Sequence, residues 1–174
     1  MSGRNSATTR LTQLALLTTV ALIFFVIEAN IPPLTSVPGV KMGLANIVTL
    51  SIFYLYGRKD ALMVLLTRVV LGAFASGQIM TLAYSLTGGL LCLLTEMILL
   101  KYLPLKNLWA ASIIGAIIHN TAQVAVAALI TQTPGIFWYM PYLIIAAIIT
   151  GAFIGLAVQF TIRKAGDTIK KIIK

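Results

Sequence analysis

Six apolar runs, each closed by a polar or helix-breaking turn, divide the chain. The first runs from Leu11 to Ala29 and ends at Asn30-Ile31-Pro32-Pro33. Residues 30–41 hold three prolines and a glycine, which predicts a structured loop or re-entrant turn. A short second run, Met42 to Tyr56, stops at the charged turn Gly57-Arg58-Lys59-Asp60. The third covers Ala61 to Ser76, with Gly77-Gln78 marking its end. The fourth occupies Ile79 to Leu100 and contains Gly88-Gly89, where a helix bends or is closely approached. A break at Lys101 to Lys106, with Pro104, leads into the fifth run, Leu108 to Ile130. The turn 131–135 (TQTPG) precedes the sixth, Ile136 to Ile162. The last twelve residues, RKAGDTIKKIIK, are basic and suit an amphipathic helix on a membrane surface.

A run of about 20 apolar residues is the length of a bilayer-spanning helix. The pattern therefore predicts an all-α polytopic membrane protein with six transmembrane helices. It forms a single transmembrane domain, 1–174, with short basic tails at 1–10 and 163–174. A basic start followed by an apolar run also describes a cleaved signal peptide. Here the run is too long, and Ile27-Glu28-Ala29-Asn30 replaces the small-x-small cleavage site, so a retained first helix is expected.

Composition agrees with that reading. Of 174 residues 59% are hydrophobic, only 10% are charged and mean hydropathy is +0.98. A soluble domain carries about 25% charged residues, so this chain cannot cover a water-facing surface, and no length is left for a soluble catalytic domain. The net charge of +9 follows the positive-inside pattern of membrane proteins and needs no nucleic-acid partner. With both termini in the cytoplasm, 11 of the 13 basic residues fall on the inner side. Lys41 is outside and Arg68 lies within a span. The expected location is thus the bacterial cytoplasmic (inner) membrane, multi-pass, in contact with lipid.

Polar residues inside the spans carry the candidate chemistry, because intramembrane ionisable groups are costly and mark function. Arg68 lies eight residues beyond the 58–60 turn, roughly 10–12 Å deep at 1.5 Å per residue. Such an arginine needs an anion: Glu28 near the outer end of the first span, or a ligand. His119, Asn120 and Gln123 share one helix face about ten residues from the inner end of the fifth span. They either line a ligand site or bond neighbouring helices. Lys41 and Asn46, with Glu28, are placed at the outer mouth of the same cavity. Trp138 and Tyr139 suit the membrane interface. Glu96, five residues before Lys101, is expected to be structural or to face a partner, and Cys92 to be a small buried hydrophobe.

Small residues recur at spacing four: Ala147, Gly151 and Gly155; Ala111 and Gly115; Gly72 and Ser76. Such seams let helices approach closely, within the protein or against a partner. Other chemistries are excluded. No G-x-x-x-x-G-K-[ST] loop is present for ATP hydrolysis. One cysteine and one histidine cannot make a usual zinc site. The only aspartates, Asp60 and Asp167, lie at the inner ends, so there is no paired-aspartate magnesium site for diphosphate chemistry. Catalytic residues, metals and cofactors are accordingly not expected, and the chain is not read as an enzyme.

The stretches PGVKMGLANIVTL and YGRKDALMVLLTRVVLG, with their P-G-V-K-x-G-L-A-N and G-x-K-x-A-L-x-V-x-x-x-R patterns, resemble a small bacterial membrane family. That family is labelled heptaprenyl diphosphate synthase component I, and also Gx transporter. It is similar to the substrate-binding S-components of energy-coupling-factor (ECF) transporters. The resemblance implies a six-helix bundle with both termini inside and a pocket opening outward. It also implies a small-molecule substrate, with energy supplied by a separate transmembrane coupling protein and ATPase subunits. S-components dock through Ala-x-x-x-Ala on the first helix; the nearest equivalent here is Ala15-x-x-x-Thr19, which departs from the strict form. The two labels imply different functions: uptake of a compound with a polar head and a partly hydrophobic body, or a non-catalytic accessory role beside a polyprenyl synthase in menaquinone biosynthesis. A structural or assembly role is the third reading.

Overall fold

A computed structural model describes residues 2–30, 43–77 and 79–173, with side chains described outside 2–6, 29, 81 and 165–173. The described residues are helical apart from their turns. Six α-helices follow in order: α1 (Ser2–Asn30), α2 (Asn46–Leu55), α3 (Arg58–Ser76), α4 (Ile79–Tyr102), α5 (Leu108–Thr131) and α6 (Met140–Ile173). Short 3₁₀ turns at Leu105–Asn107 and Pro134–Tyr139 lead into α5 and α6. Each of the six apolar runs thus contains one α-helix, and the Gly88-Gly89 pair lies inside an unbroken α4.

Four of the six helical stretches are long and apolar enough to cross a membrane: Ala7–Glu28, Leu82–Tyr102, Leu105–Thr131 and Pro134–Lys164. The second apolar run, read as 15 residues, contributes only the 10-residue α2, about 15 Å at 1.5 Å per residue. That is half of a bilayer's hydrocarbon thickness of about 30 Å. α3 has 19 residues but carries three charges in its first turn and Arg68 at its middle.

Each long helix buries one stripe and leaves the rest apolar and exposed, as expected where lipid is the solvent. On α1 the buried stripe is Leu14, Thr18, Ala21, Phe25 and Glu28, while Leu11, Leu16, Ile23 and Ile27 face outward. α5 packs most extensively against α6 and α4. The small-residue seams are what allow this. A Cβ on Gly151 would lie 2.7 Å from Ile113 Cα, and one on Gly155 2.4 Å from Trp109 Cα. Gly72 meets the Phe25 ring in the same way. These seams join helices of this chain to one another, which was one of the two alternatives open from sequence.

Polar contacts tie the loops together at one end. Arg10 on α1 pairs with Asp60 at the start of α3 and donates to Tyr56 O (3.5 Å), and Tyr56 Oη donates to Gln13 Oε1 (3.0 Å). Leu50 of α2 joins Leu108, Ile154, Val158 and Ile162 in a cluster bordered by Leu100 and Leu105. The start of α1, the α2–α3 turn, the α4–α5 turn and the end of α6 therefore share one end of the bundle. At the other end Ile136 seals a cluster with Tyr84, Val124, Ala127 and Leu143.

Candidate functional site

Asn46, the first residue of α2, is the hub of a buried polar cluster. The turn before it comes from Gly43, whose φ of +85° suits glycine, with Asn46 N donating to Gly43 O (2.9 Å). Because α2 begins late, its N-terminus lies deep among α3, α4 and α5. Asn46 Oδ1 accepts from Arg68 Nη2 at 2.5 Å, while its Nδ2 lies 3.5 Å from His119 Nδ1 and 3.7 Å from Cys92 Sγ. One carboxamide thus joins side chains from three other helices.

His119 is clamped between two glycines. A Cβ on Gly43 would lie 3.2 Å from His119 Cδ2 and Nε2, and one on Gly88 3.0 Å from Cε1 and Nδ1. The Gly88 backbone is within hydrogen-bonding reach of the imidazole. Gln123, one turn further along α5, packs its Cγ on the same glycine. All of these side chains are buried: Arg68 is 3% exposed, His119 2% and Gln123 0%. Arg68 Nε and His119 Nε2 are nevertheless without a hydrogen-bond partner among the described residues, as are Thr49 Oγ1 and Asn120 Oδ1. Leaving a buried polar atom unsatisfied costs about 1–3 kcal/mol.

The fold brings together Arg68, Asn46, His119 and Gln123. Asn120 is aimed elsewhere: its Nδ2 donates to Leu143 O (3.0 Å) and ties α5 to α6, the interhelical bonding that was one reading of that face. Glu28 is buried on α1 and accepts from the backbone amides of Gly43 and, at 3.3 Å, Leu44. It holds the turn that carries Asn46. Asn46, expected at the outer mouth, instead touches Arg68 and His119 at their own level, because α2 starts three residues beyond the Gly43 turn. Lys41 lies outside the described residues. Ala15 and Thr19 are exposed on α1, with Thr19 Oγ1 donating to Ala15 O (3.0 Å).

Two participants escaped the sequence reading. Thr49, one helical turn after Asn46, had a usable signal in that i, i+3 spacing. Gly43 had none, since only the partner across the interface gives it a role, whereas Gly88 belongs to the glycine pair expected to bend the helix or be closely approached, and His119 and Gln123 approach it. Cys92, read as a buried hydrophobe, is buried as expected but also accepts from Asn46 Nδ2 (3.7 Å) and lies with Glu96 against Gly115. Glu96 is only 2% exposed and packs against Gly115 of α5, so it does not face a partner protein. Among the described residues no group of three or more metal-ligating side chains converges.

A sequence model of the heptaprenyl diphosphate synthase component I family matches residues 17–161. Comparison with curated proteins yields no match, and neither does comparison with solved structures. The matched stretch runs from the middle of α1 to the end of the apolar part of α6 and takes in every residue of the buried cluster: the chain belongs to the heptaprenyl diphosphate synthase component I family.

Proposed function

We propose that this protein is the substrate-binding membrane subunit of a bacterial uptake system, similar to an ECF S-component and energised by separate coupling and ATPase subunits. In this reading α2 and α3 complete a six-span bundle with both termini in the cytoplasm, since the basic segments gather at one end. The observation that carries it is the pair of buried nitrogen atoms, Arg68 Nε and His119 Nε2, that have no hydrogen-bond partner among the described residues, beside the Arg68–Asn46 bond. A bundle needing only to hold itself together gains nothing from burying a guanidinium whose donors are incompletely used. A ligand with an anionic or strongly polar head supplies acceptors to both groups. The surrounding leucine, isoleucine and phenylalanine side chains suit a greasy or aromatic body, as in a quinone-, flavin- or isoprenoid-related compound. Gln123 and Asn46 orient the head, Glu28 holds the Gly43 turn beside them, and Asn120 ties α5 to α6 behind the site. Exposed Ala15 and Thr19 are the proposed docking face for the coupling protein.

Mass spectrometry of small molecules retained by the purified protein tests this. Wild type is expected to retain a discrete compound. Arg68→Ala loses a charge-assisted hydrogen bond of about 1.5–3 kcal/mol, which weakens retention about 10- to 100-fold while the protein stays folded in the membrane. If Arg68 serves only to balance Glu28, Arg68→Leu destabilises the protein and Arg68→Leu with Glu28→Leu restores both stability and retention. That outcome removes Arg68 from the site.

The family description supports a second reading, a non-catalytic accessory subunit of a polyprenyl diphosphate synthase. Affinity purification separates the two. Recovery of a coupling protein with ATPases supports uptake, and recovery of a soluble prenyl synthase supports the accessory role.

A further inference from the structure

The α4 face that carries Gly88 against His119 also carries Cys92 and Glu96, at i+4 and i+8. The three positions therefore form one line about 12 Å long at 1.5 Å per residue. Cys92 Sγ and Glu96 Oε1 both lie beside Gly115, Cys92 receives Asn46 Nδ2 (3.7 Å), and Asn46 in turn accepts from Arg68. A buried line of polar side chains thus runs from Arg68 toward the end of α4 that bears Lys101.

Glu96 is enclosed. A methyl group on Gly115 would lie 3.1 Å from its Cγ and Oε1 and 3.2 Å from Cys92 Sγ, so α5 packs directly on this part of α4. Its neighbours supply no positive charge at contact. Cys92 is the titratable group beside it on α4, while Lys101 is exposed and lies over the Tyr102 ring. From α5 it meets Gly115, with His119 one turn further on and turned to Asn46 and Gly88. From α2 and α3, Asn46 and Arg68 reach it only by way of Cys92. Among the described residues the one ion pair is Arg10–Asp60. A carboxylate removed from water without a counter-charge is neutralised by binding a proton.

We propose that Glu96 is a proton-binding site whose occupancy is linked through Cys92 and Asn46 to the Arg68–His119 cluster. The step is protonation alone: a carboxylate oxygen forms an O–H bond with a proton delivered by water. Its use follows from charge. An anionic head at Arg68 adds a negative charge to the buried line, and a proton on Glu96 keeps that line from holding a second one. Binding of proton and anion therefore reinforce each other, and reciprocally so. This last link rests on the uptake reading; the proton site does not.

Infrared difference spectroscopy of the full chain in proteoliposomes, stepped between about pH 5 and pH 9, tests the site without any ligand. Wild type is expected to show the carbonyl band of a protonated carboxylic acid converting to carboxylate. The band is absent in Glu96→Gln, an isosteric change, and kept in Glu28→Gln. Persistence of the whole signal in Glu96→Gln, or no such band in wild type, overturns the site. Linkage predicts that Arg68→Gln changes the fraction converted by the same step, and that Cys92→Val, which cuts the path without touching either charge, does so too. An unchanged fraction in both variants overturns the link while leaving the uptake reading to its own retention test.

Discussion

Two adjacent glycines separate the cluster's geometry from the general stability of α4. Gly88 and Gly89 sit in the same unbroken helix, so alanine at either position gains the same helix propensity, about 1 kcal/mol. Their surroundings differ. A Cβ on Gly89 meets one methyl of Leu65 at 2.7 Å, with the next atoms at 3.6 Å, and that methyl can move by a small rotation. A repacking of this kind costs under about 1.5 kcal/mol, so Gly89→Ala is expected within about 1 kcal/mol of wild type. A Cβ on Gly88 meets three atoms at once: Gln123 Cγ at 2.9 Å and His119 Cε1 and Nδ1 at 3.0 Å. Comfortable contact begins near 3.5 Å, so the imidazole must shift by about 0.5 Å. It cannot retreat freely, because Gly43 and Asn46 close its other side. Overpacking of about 1–3 kcal/mol, offset by the propensity gain, leaves Gly88→Ala between neutral and about 2 kcal/mol less stable. Its ligand retention is expected to fall at least about 10-fold, since displacements of about 1 Å cost up to 100-fold in tuned sites. Thermal unfolding in detergent and quantitative mass spectrometry of the retained compound measure the two effects. Equal loss of retention in both variants, or wild-type retention in Gly88→Ala, refutes the assignment of His119 to the site.

Gly155→Ala places a Cβ 2.4 Å from the backbone of Trp109, which no rotamer change relieves. It should lower thermal stability by about 3 kcal/mol or more, whereas Gly135→Ala, with nothing within 4 Å, should not. The Arg10–Asp60 pair is half-exposed on the arginine side, so Asp60→Asn should cost no more than about 1 kcal/mol in denaturation measurements, and less at high salt. Cysteine at Thr133 should react with impermeant thiol reagents from outside whole cells while cysteine at Asn107 should not; labelling of Asn107 would overturn the proposed orientation. The purified chain alone should show neither ATPase nor prenyl-transfer turnover in direct assays.

Helices long enough to be read from hydropathy were legible in the chain, because in lipid every backbone group must be paired within its own segment and the outer surface must be apolar. The helices at the six runs and the position of Arg68 and His119 near the middle of theirs follow from that local rule. What hydropathy could not deliver is the length of α2. A 15-residue apolar run gives no sign that its first residues form a turn held by Glu28, nor that only ten become helix. Nor could spacing say where each side chain on α5 is aimed. His119 and Asn120 are sequence neighbours, yet one meets Asn46 and the other the Leu143 carbonyl of α6, because two different helices cover adjacent sides of α5. The roles of Gly43, Gly88, Cys92 and Glu96 are likewise properties of pairs. Burial, a missing hydrogen-bond partner and a glycine's close approach exist only once a second helix stands opposite, and that placement is decided by the tertiary packing of α2, α4 and α5 around one carboxamide.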